Sequence, residues 1–213
     1  TICHSILLDR MHIEFGISSA VLDWLSSYLA GRTQYVKVGQ RSSKVVSCSS
    51  GVPQGSVLGP LLFAVYVSPV GNVISSHGVG YHQYADDTQL ALAMRSSNTD
   101  AGLATLAACT AAVKDWYLRN HLLLNADKSE VMALGTHVQL KNAADADVKS
   151  VTVAGALLSV SSQMKSLGVV LDKSLSFNDH ARAVVKSCNY HTRAIRHVRH
   201  LLTESTAQTL ACS

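Results

Sequence analysis

Tyr81-His82-Gln83-Tyr84-Ala85-Asp86-Asp87-Thr88-Gln89-Leu90-Ala91-Leu92 is the stretch on which the fold turns. Two short strands, Tyr81–Tyr84 and Thr88–Leu92, are predicted to meet at Ala85-Asp86-Asp87, with apolar and aromatic residues on both sides of the acids. A hairpin of this kind is packed rather than floppy, and a tight turn brings both carboxylates towards one point. Like charges so close repel, and a divalent cation relieves the repulsion. Magnesium prefers oxygen ligands and often takes only one or two carboxylates together with substrate phosphates. Two such ions about 4 Å apart activate a hydroxyl nucleophile and stabilise the leaving oxygen of an in-line phosphoryl displacement. An Asp-Asp turn alone is more often simply solvated, so the neighbouring segments decide.

Upstream, Gly51-Val52-Pro53-Gln54-Gly55-Ser56-Val57-Leu58-Gly59-Pro60 is a glycine-punctuated loop, and Pro60 suits the first turn of the apolar helix after it. Gly55 permits a backbone path or a close approach that a side chain would block; a plain turn leading into a helix needs it equally. The apolar run Val57 to Ile74 is interrupted by Gly59, Pro60, Pro69 and Gly71, and is expected to be a buried helix rather than a membrane span. Two helices are predicted before the loop. The first carries Ile6, Leu7, Met11 and Ile13. The second is capped by Ser18 or Ser19, carries Val21, Leu22, Leu25, Tyr28 and Leu29, and stops at Gly31. Tyr35–Val38 and Val45–Cys48 around Gly39-Gln40-Arg41-Ser42-Ser43 predict a hairpin.

Downstream, Asn98 or Thr99 begins a helix to about Arg119 with Leu103, Leu106, Thr110, Val113 and Tyr117 on one face. Asn120–Asp127 is expected to be a loop, Lys141–Lys149 an exposed connection, and Val131–Leu134, Val151–Val153 and Leu167–Leu171 strands. The C-terminal segment is the most amphipathic, with Ala181, Val184, Val185, Cys188, Ile195, Val198 and Leu202 at helical spacing. Between His180 and His200 it has Arg182, Lys186, Arg193, Arg196 and Arg199 and no acid. The fold class is therefore α/β.

Bulk composition narrows the choice only modestly. The 213 residues, 47% hydrophobic and 15% charged, suffice for one substantial core. A formal net charge of +4 fits a nucleic-acid partner without requiring one. Five scattered cysteines with no CxxC pair indicate neither a disulfide framework nor a thiolate zinc site, and favour an intracellular setting, nuclear or cytoplasmic and not secreted. Cys188 with His191, and His197 with His200, match no established zinc-finger spacing.

Taken in order, these segments resemble the reverse transcriptases, specifically those of non-LTR (LINE-type, jockey-like) retrotransposons. Tyr84-Ala85-Asp86-Asp87 is similar to the family's catalytic hairpin, and Gly51–Phe63 to its template- and nucleotide-positioning segment. Asn125-Ala126-Asp127-Lys128-Ser129-Glu130 resembles the later lysine-bearing motif. Lys165-Ser166-Leu167-Gly168-Val169-Val170-Leu171 resembles the strand pair that grips the primer. The resemblance implies a right-hand palm with an antiparallel sheet backed by helices and partial fingers over 1–175, and the start of a thumb over 176–213. It implies an RNA template, a DNA primer, deoxynucleoside triphosphates and two Mg2+ ions, the metals held by Asp86 and Asp87. Pro53, Gln54, Gly55, Tyr84 and Ala85 are implied to contact template and nucleotide. Leu167, Gly168, Arg182, Lys186 and Arg193 are implied to contact the primer duplex. Lys128 is implied to protonate departing pyrophosphate or offset its charge, though a surface lysine beside Glu130 has the same local sequence.

Two-metal polymerases use a third carboxylate from an earlier strand. Thr1-Ile2-Cys3-His4-Ser5 resembles the tail of the motif that carries it, and the chain opens on Thr1 rather than methionine. The expectation is that this aspartate, the aromatic sugar gate and the first palm strand lie upstream of residue 1. The 213 residues alone are then expected to have no or very weak polymerase activity and a poorly stabilised palm. A decayed or repurposed nucleic-acid-binding remnant is the competing expectation. A nuclease built on the Asp pair leaves the Gln54–Gly55 loop unexplained.

Overall fold

Helix α1, His4–Ile13, and helix α2, Ser19–Leu29, open the chain. Ser18 occupies the N-cap of α2 in extended backbone but makes no side-chain bond to the helix. Leu7 and Met11 of α1 and Leu25 and Leu29 of α2 are buried, whereas Ile13 and Val21 are exposed. The computed structural model describes residues 1–145 and 149–212. They fall into two compact units, Thr1–Ser129 with Val151–Leu158, and Glu130–Ser150 with Ser159–Ser213.

In the first unit, β1 (Thr33–Gln34) pairs with β4 (Val46–Ser47), and β2 (Lys37–Val38) with β3 (Arg41–Ser42), both antiparallel. The predicted early hairpin is therefore present as a ribbon, and its Tyr35, Val36, Val38, Val45 and Val46 are exposed. The apolar run after it is not one helix. It breaks at Ser68–Pro69 into α3 (Gly59–Val67) and α4 (Val70–Ser76), because proline has no N–H to continue the ladder. Gly59–Ser76 is long and apolar enough to cross a membrane. Here, however, Leu62, Tyr66, Val67, Val70 and Ile74 are each at most 1% exposed and form the centre of the core. Such a stripe requires burial, and the fold supplies it.

Strands β5 (Gly80–Tyr84) and β6 (Asp87–Ala91) form the central hairpin, and α5 (Thr99–Arg119) packs against α4. Cys109, Thr110, Val113 and Tyr117 are the buried face of α5. Inside the core lies a polar network that sequence patterning does not reveal. The Tyr66 hydroxyl accepts the Cys3 N–H at 3.3 Å and donates to the Asn120 carbonyl at 2.8 Å. The Arg10 guanidinium donates to the Tyr66 carbonyl and to Asn120 Oδ1, and lies 4.8 Å and 5.0 Å from the Tyr66 and Trp116 ring centres. Burial pushes the Arg10 pKa down and the Tyr66 hydroxyl up. Among the described residues each buried side-chain nitrogen or oxygen finds a hydrogen-bond partner, as interior groups must.

In the second unit, β7 (Val131–Met132) is followed by α6 (His137–Asp145). The Lys141–Lys149 stretch is thus helical as far as Asp145, while Ala146–Val148 lie outside the described residues. Strand β8 (Ser150–Val153) turns through Ala154–Gly155 into β9 (Ala156–Ser161), and Val151–Leu158 of this pair belong to the first unit; the end of β9, in the second, pairs parallel with β7, Val131 opposite Val160. Strands β10 (Gln163–Ser166) and β11 (Val169–Asp172) pair antiparallel. The predicted strand Leu167–Leu171 is corrected here. Leu167 and Gly168, at φ +46° and +85°, are a two-residue loop, which requires left-handed backbone at both positions. Helix α7 (Asn178–Val198) passes into a 3₁₀ turn, Arg199–Leu201, leaving Leu202 extended, and α8 (Glu204–Cys212) follows. The chain is a mixed α/β fold with small, mostly antiparallel sheets.

Candidate functional site

The hairpin that carries the acids is set on the core through β5 and α4. The hydroxyl end of Tyr81 abuts Gly71 of α4, so closely that a Cβ there would be 2.1 Å from the Tyr81 hydroxyl. Leu90 and Leu92 pack against the core from the other strand. Thr88 Oγ1 lies 3.3 Å from Gln83 Nε2, its donor, and 3.4 Å from the Tyr117 hydroxyl. The tip is therefore built on a rigid base although its own residues are exposed.

The register corrects the expected turn. Tyr84 pairs with Asp87, so the loop has two residues, Ala85 and Asp86, and Asp87 is the first residue of β6. Ala85 takes φ +53° and Asp86 does not have positive φ, the sign pattern of a type II′ hairpin loop. Tight loops of this twist match the twist of the strands, which is why a three-residue loop is not formed. Asp86 and Asp87 are both exposed, as are Tyr84 and Ala85. Among the described residues no third histidine, cysteine, aspartate or glutamate joins them. Two adjacent exposed carboxylates are the kind of oxygen donor that magnesium prefers, usually with waters and phosphates as its other ligands.

Pro53, Gln54 and Gly55 lie in a second tight turn. The Ser56 N–H donates to the Pro53 carbonyl at 3.2 Å, and Gly55 holds the third position at φ +79°. A type II turn needs positive φ there, so the backbone itself accounts for Gly55. Gln54 projects at the corner, exposed. Ser56 Oγ then accepts the Gly59 N–H at 3.0 Å and fixes the start of α3. Lys128 is exposed at the end of the short 3₁₀ turn Ala126–Lys128.

The remaining expected residues lie in the second unit. Leu167 and Gly168 form the β10–β11 loop, with Leu167 exposed. Arg182, Lys186 and Arg193 are exposed on α7, and Arg182 is paired with Asp179 at 3.4 Å. Arg193, Arg196, His197 and Arg199 line an open groove at the end of that helix. Cations near a helix C-terminus are also favoured by its dipole, which accounts for part of this cluster without any ligand. The contacts of Arg10 with Tyr66 and of Tyr81 with Gly71 are not readable from the sequence, because nothing in local pattern marks a contact between distant elements.

The reverse transcriptase (RNA-dependent DNA polymerase) family model matches residues 1–171. The RNA-directed DNA polymerase from mobile element jockey of Drosophila funebris is 30% identical over 176 residues, covering 80% of this chain and 18% of the relative. The probable RNA-directed DNA polymerase from transposon BS of Drosophila melanogaster is 31% identical over 192 residues, covering 87% of this chain and 20% of the relative. The probable polymerase from transposon X-element of the same fly is 26% identical over 194 residues, covering 84% and 20%. The chain thus spans about a fifth of the length of these curated relatives. No solved structure shows a significant match. The chain belongs to the reverse transcriptase family, in its jockey-like non-LTR retrotransposon branch.

Proposed function

We propose that this chain is the greater part of the polymerase module of an RNA-directed DNA polymerase, with palm and partial fingers over 1–175 and the start of a thumb over 176–213. The primer 3′-hydroxyl attacks the α-phosphorus of a deoxynucleoside triphosphate opposite an RNA template, and pyrophosphate leaves. The observation that carries this reading is the exposed Asp86–Asp87 pair on a core-seated hairpin within a chain that matches the family over residues 1–171. Asp86 and Asp87 would hold two magnesium ions, jointly with the further aspartate that the family resemblance implies upstream of residue 1. When bound, such ions lower the pKa of the attacking hydroxyl and neutralise charge on the leaving oxygen.

The chain's own residues then have distinct tasks. Pro53, Gln54 and Gly55 support the template base and incoming nucleotide, flanked by Tyr84 and Ala85. Lys128 offsets or protonates pyrophosphate. The Leu167–Gly168 loop and Arg182, Lys186 and Arg193 hold the primer–template duplex, through phosphate contacts that weaken as salt rises. The setting is intracellular.

Primer extension on an RNA template tests this. A chain extended upstream through the implied aspartate is expected to extend the primer with magnesium, and Asp86→Ala or Asp87→Ala to abolish extension while duplex binding persists. Residues 1–213 alone are expected to bind duplex and extend little or not at all. Binding without extension by the upstream-extended chain supports the non-catalytic remnant instead. Full activity in Asp86→Ala sinks the proposal.

A further inference from the structure

The Gln54–Gly55 turn is exposed, and the bond from Ser56 N–H to the Pro53 carbonyl closes it on itself. Its placement is therefore set at its two ends, and both ends lead back to residues Ile2–His4. On the leading side, Ser50 forms an antiparallel bridge with Cys3, and the Gly51 N–H donates to the Ile2 carbonyl at 2.7 Å. The Gly51 carbonyl lies 2.7 Å from His4 Nε2. Gly51 has φ +85°, and a Cβ on it would sit 3.3 Å from Thr1 Cγ2, so the chain wraps the N-terminal segment at close range. On the trailing side, Ser56 Oγ accepts the N–H of Gly59, the first residue of α3, and Tyr66 of α3 accepts the Cys3 N–H. His4 itself is the first residue of α1, whose Arg10 is bonded to the Tyr66 carbonyl. The imidazole thus stands on a helix that the core immobilises.

We infer that His4 is a positioning residue for the Gln54–Gly55 turn, acting through the Gly51 carbonyl; its part in polymerisation rests on the reaction proposed above. A carbonyl only accepts, so Nε2 carries the proton in this contact. The bond leaves Gly51 held by both its N–H and its carbonyl, and the Pro53 turn begins two residues later. Loss of the imidazole frees the carbonyl and leaves the leading end of the turn held only by the Gly51 N–H and the Ser50–Cys3 bridge. The leading half of the loop is then less firmly placed, while Ser56 still holds its trailing end at α3.

Two measurements test this with separate outcomes. Amide exchange by NMR on residues 1–213 is expected to speed at Gly51 and Ser56 on the order of tenfold in His4→Ala, as for loss of one hydrogen bond. The Cys109 and Val113 amides of α5 should be unchanged, and His4→Gln, whose terminal amide donates at a similar reach, should restore slow exchange. In the upstream-extended polymerase, His4→Ala is expected to raise KM for the deoxynucleoside triphosphate roughly tenfold with kcat changed less than about twofold, and His4→Gln to recover most of it. Unchanged exchange in His4→Ala overturns the clamp. Faster exchange with unmoved KM overturns the role in the reaction and leaves a purely structural contact. An inactive wild-type extended enzyme sinks the polymerase reading and this role together, while the exchange arm still decides the clamp. Where His4→Ala also loosens α5, His4→Asn takes its place under the same criteria, being polar but too short to reach Gly51.

Discussion

Helices α5 and α7 each have 21 residues, yet they live in opposite surroundings. In α5 an apolar face made of Cys109, Thr110, Val113 and Tyr117 is buried against the first unit's core. In α7 the segregation of apolar from basic residues is sharper in sequence, yet no residue of it is buried. Val184, Val185, Ile195 and Val198 are between 38% and 58% exposed. The contrast extends to the units: every buried side chain among the described residues belongs to the first. Amphipathicity reports that a face is suited to a partner; it does not say that the partner is present.

The sharpest test of the contrast is the centre of the first core. Tyr66→Ala removes a fully buried ring, two hydrogen bonds of its hydroxyl and the face under Arg10. A loss of about 3–5 kcal/mol in urea unfolding is expected. Tyr66→Phe keeps the ring, leaves the Cys3 N–H and Asn120 carbonyl short of a partner, and is expected to lose about 1–3 kcal/mol. A loss below about 1 kcal/mol for the alanine variant would mean that the first unit is as loosely held as the second.

Next in size is the seat of the acid-bearing hairpin. Gly71→Ala drives a methyl against the hydroxyl end of Tyr81 and is expected to cost about 1–3 kcal/mol. Tyr81→Ala made in the same chain should remove most of that penalty, so the double-mutant cycle should be strongly non-additive. Simple additivity would show that the hairpin does not rest on α4 at Gly71.

A smaller effect is expected in the second unit, where polar contacts replace a core. The Asp172 carboxylate accepts the N–H groups of Ser174, Ser176 and Phe177 at 2.9, 3.1 and 2.9 Å, and the Ser176 hydroxyl at 2.9 Å. This loop contains Leu175 and Phe177 at positive φ, and it leads directly into α7. The Ser176 backbone bond is the first cause that holds the carboxyl below its ordinary value of 3.8, helped by the other donors and opposed by desolvation. A depressed carboxyl stabilises the folded loop above pH 3.8 and loses that contribution as pH falls through its lower folded pKa. NMR titration should show the Ser176 and Phe177 amides shifting below pH 3.8 in the wild type and not in Asp172→Ala. A transition above pH 3.8 would overturn the assignment.

Least is expected of α7 itself. Val185→Ser is expected to change stability by no more than about 0.5 kcal/mol, because its side chain is already in water. Should it cost 2 kcal/mol or more, roughly what a buried aliphatic costs, α7 has a covered face and the contrast with α5 collapses.

Periodicity made α5 legible to within a residue or two, whereas for α7 it ran on to Leu202, which is extended beyond the helix; the glycine and proline positions marked the loop before α3. The Asp86–Asp87 hairpin was legible as two strands, but not its register. The choice between a two- and a three-residue loop is made by matching turn twist to strand twist, which composition does not encode. Leu167 was misplaced for the same reason: a leucine in left-handed backbone contradicts its local preference, and the β10–β11 pairing overrides it. Strand β9 and helix α6 escaped because their segments are short and mixed in polarity.

By itself, then, the sequence determined the family, the α/β class, the acids Asp86 and Asp87 and the Gln54–Gly55 turn, because residue type and order along the chain carry those. Only the tertiary structure decided that Asp87 is a strand residue opposite Tyr84, that Tyr81 abuts Gly71, and that Arg10, Tyr66 and Asn120 form the polar centre of the core. It alone decided that His4 meets the Gly51 carbonyl across 47 residues of chain. Those contacts join segments far apart in sequence, and their energies arise from burial and hydrogen-bond geometry that exist only once the elements have packed.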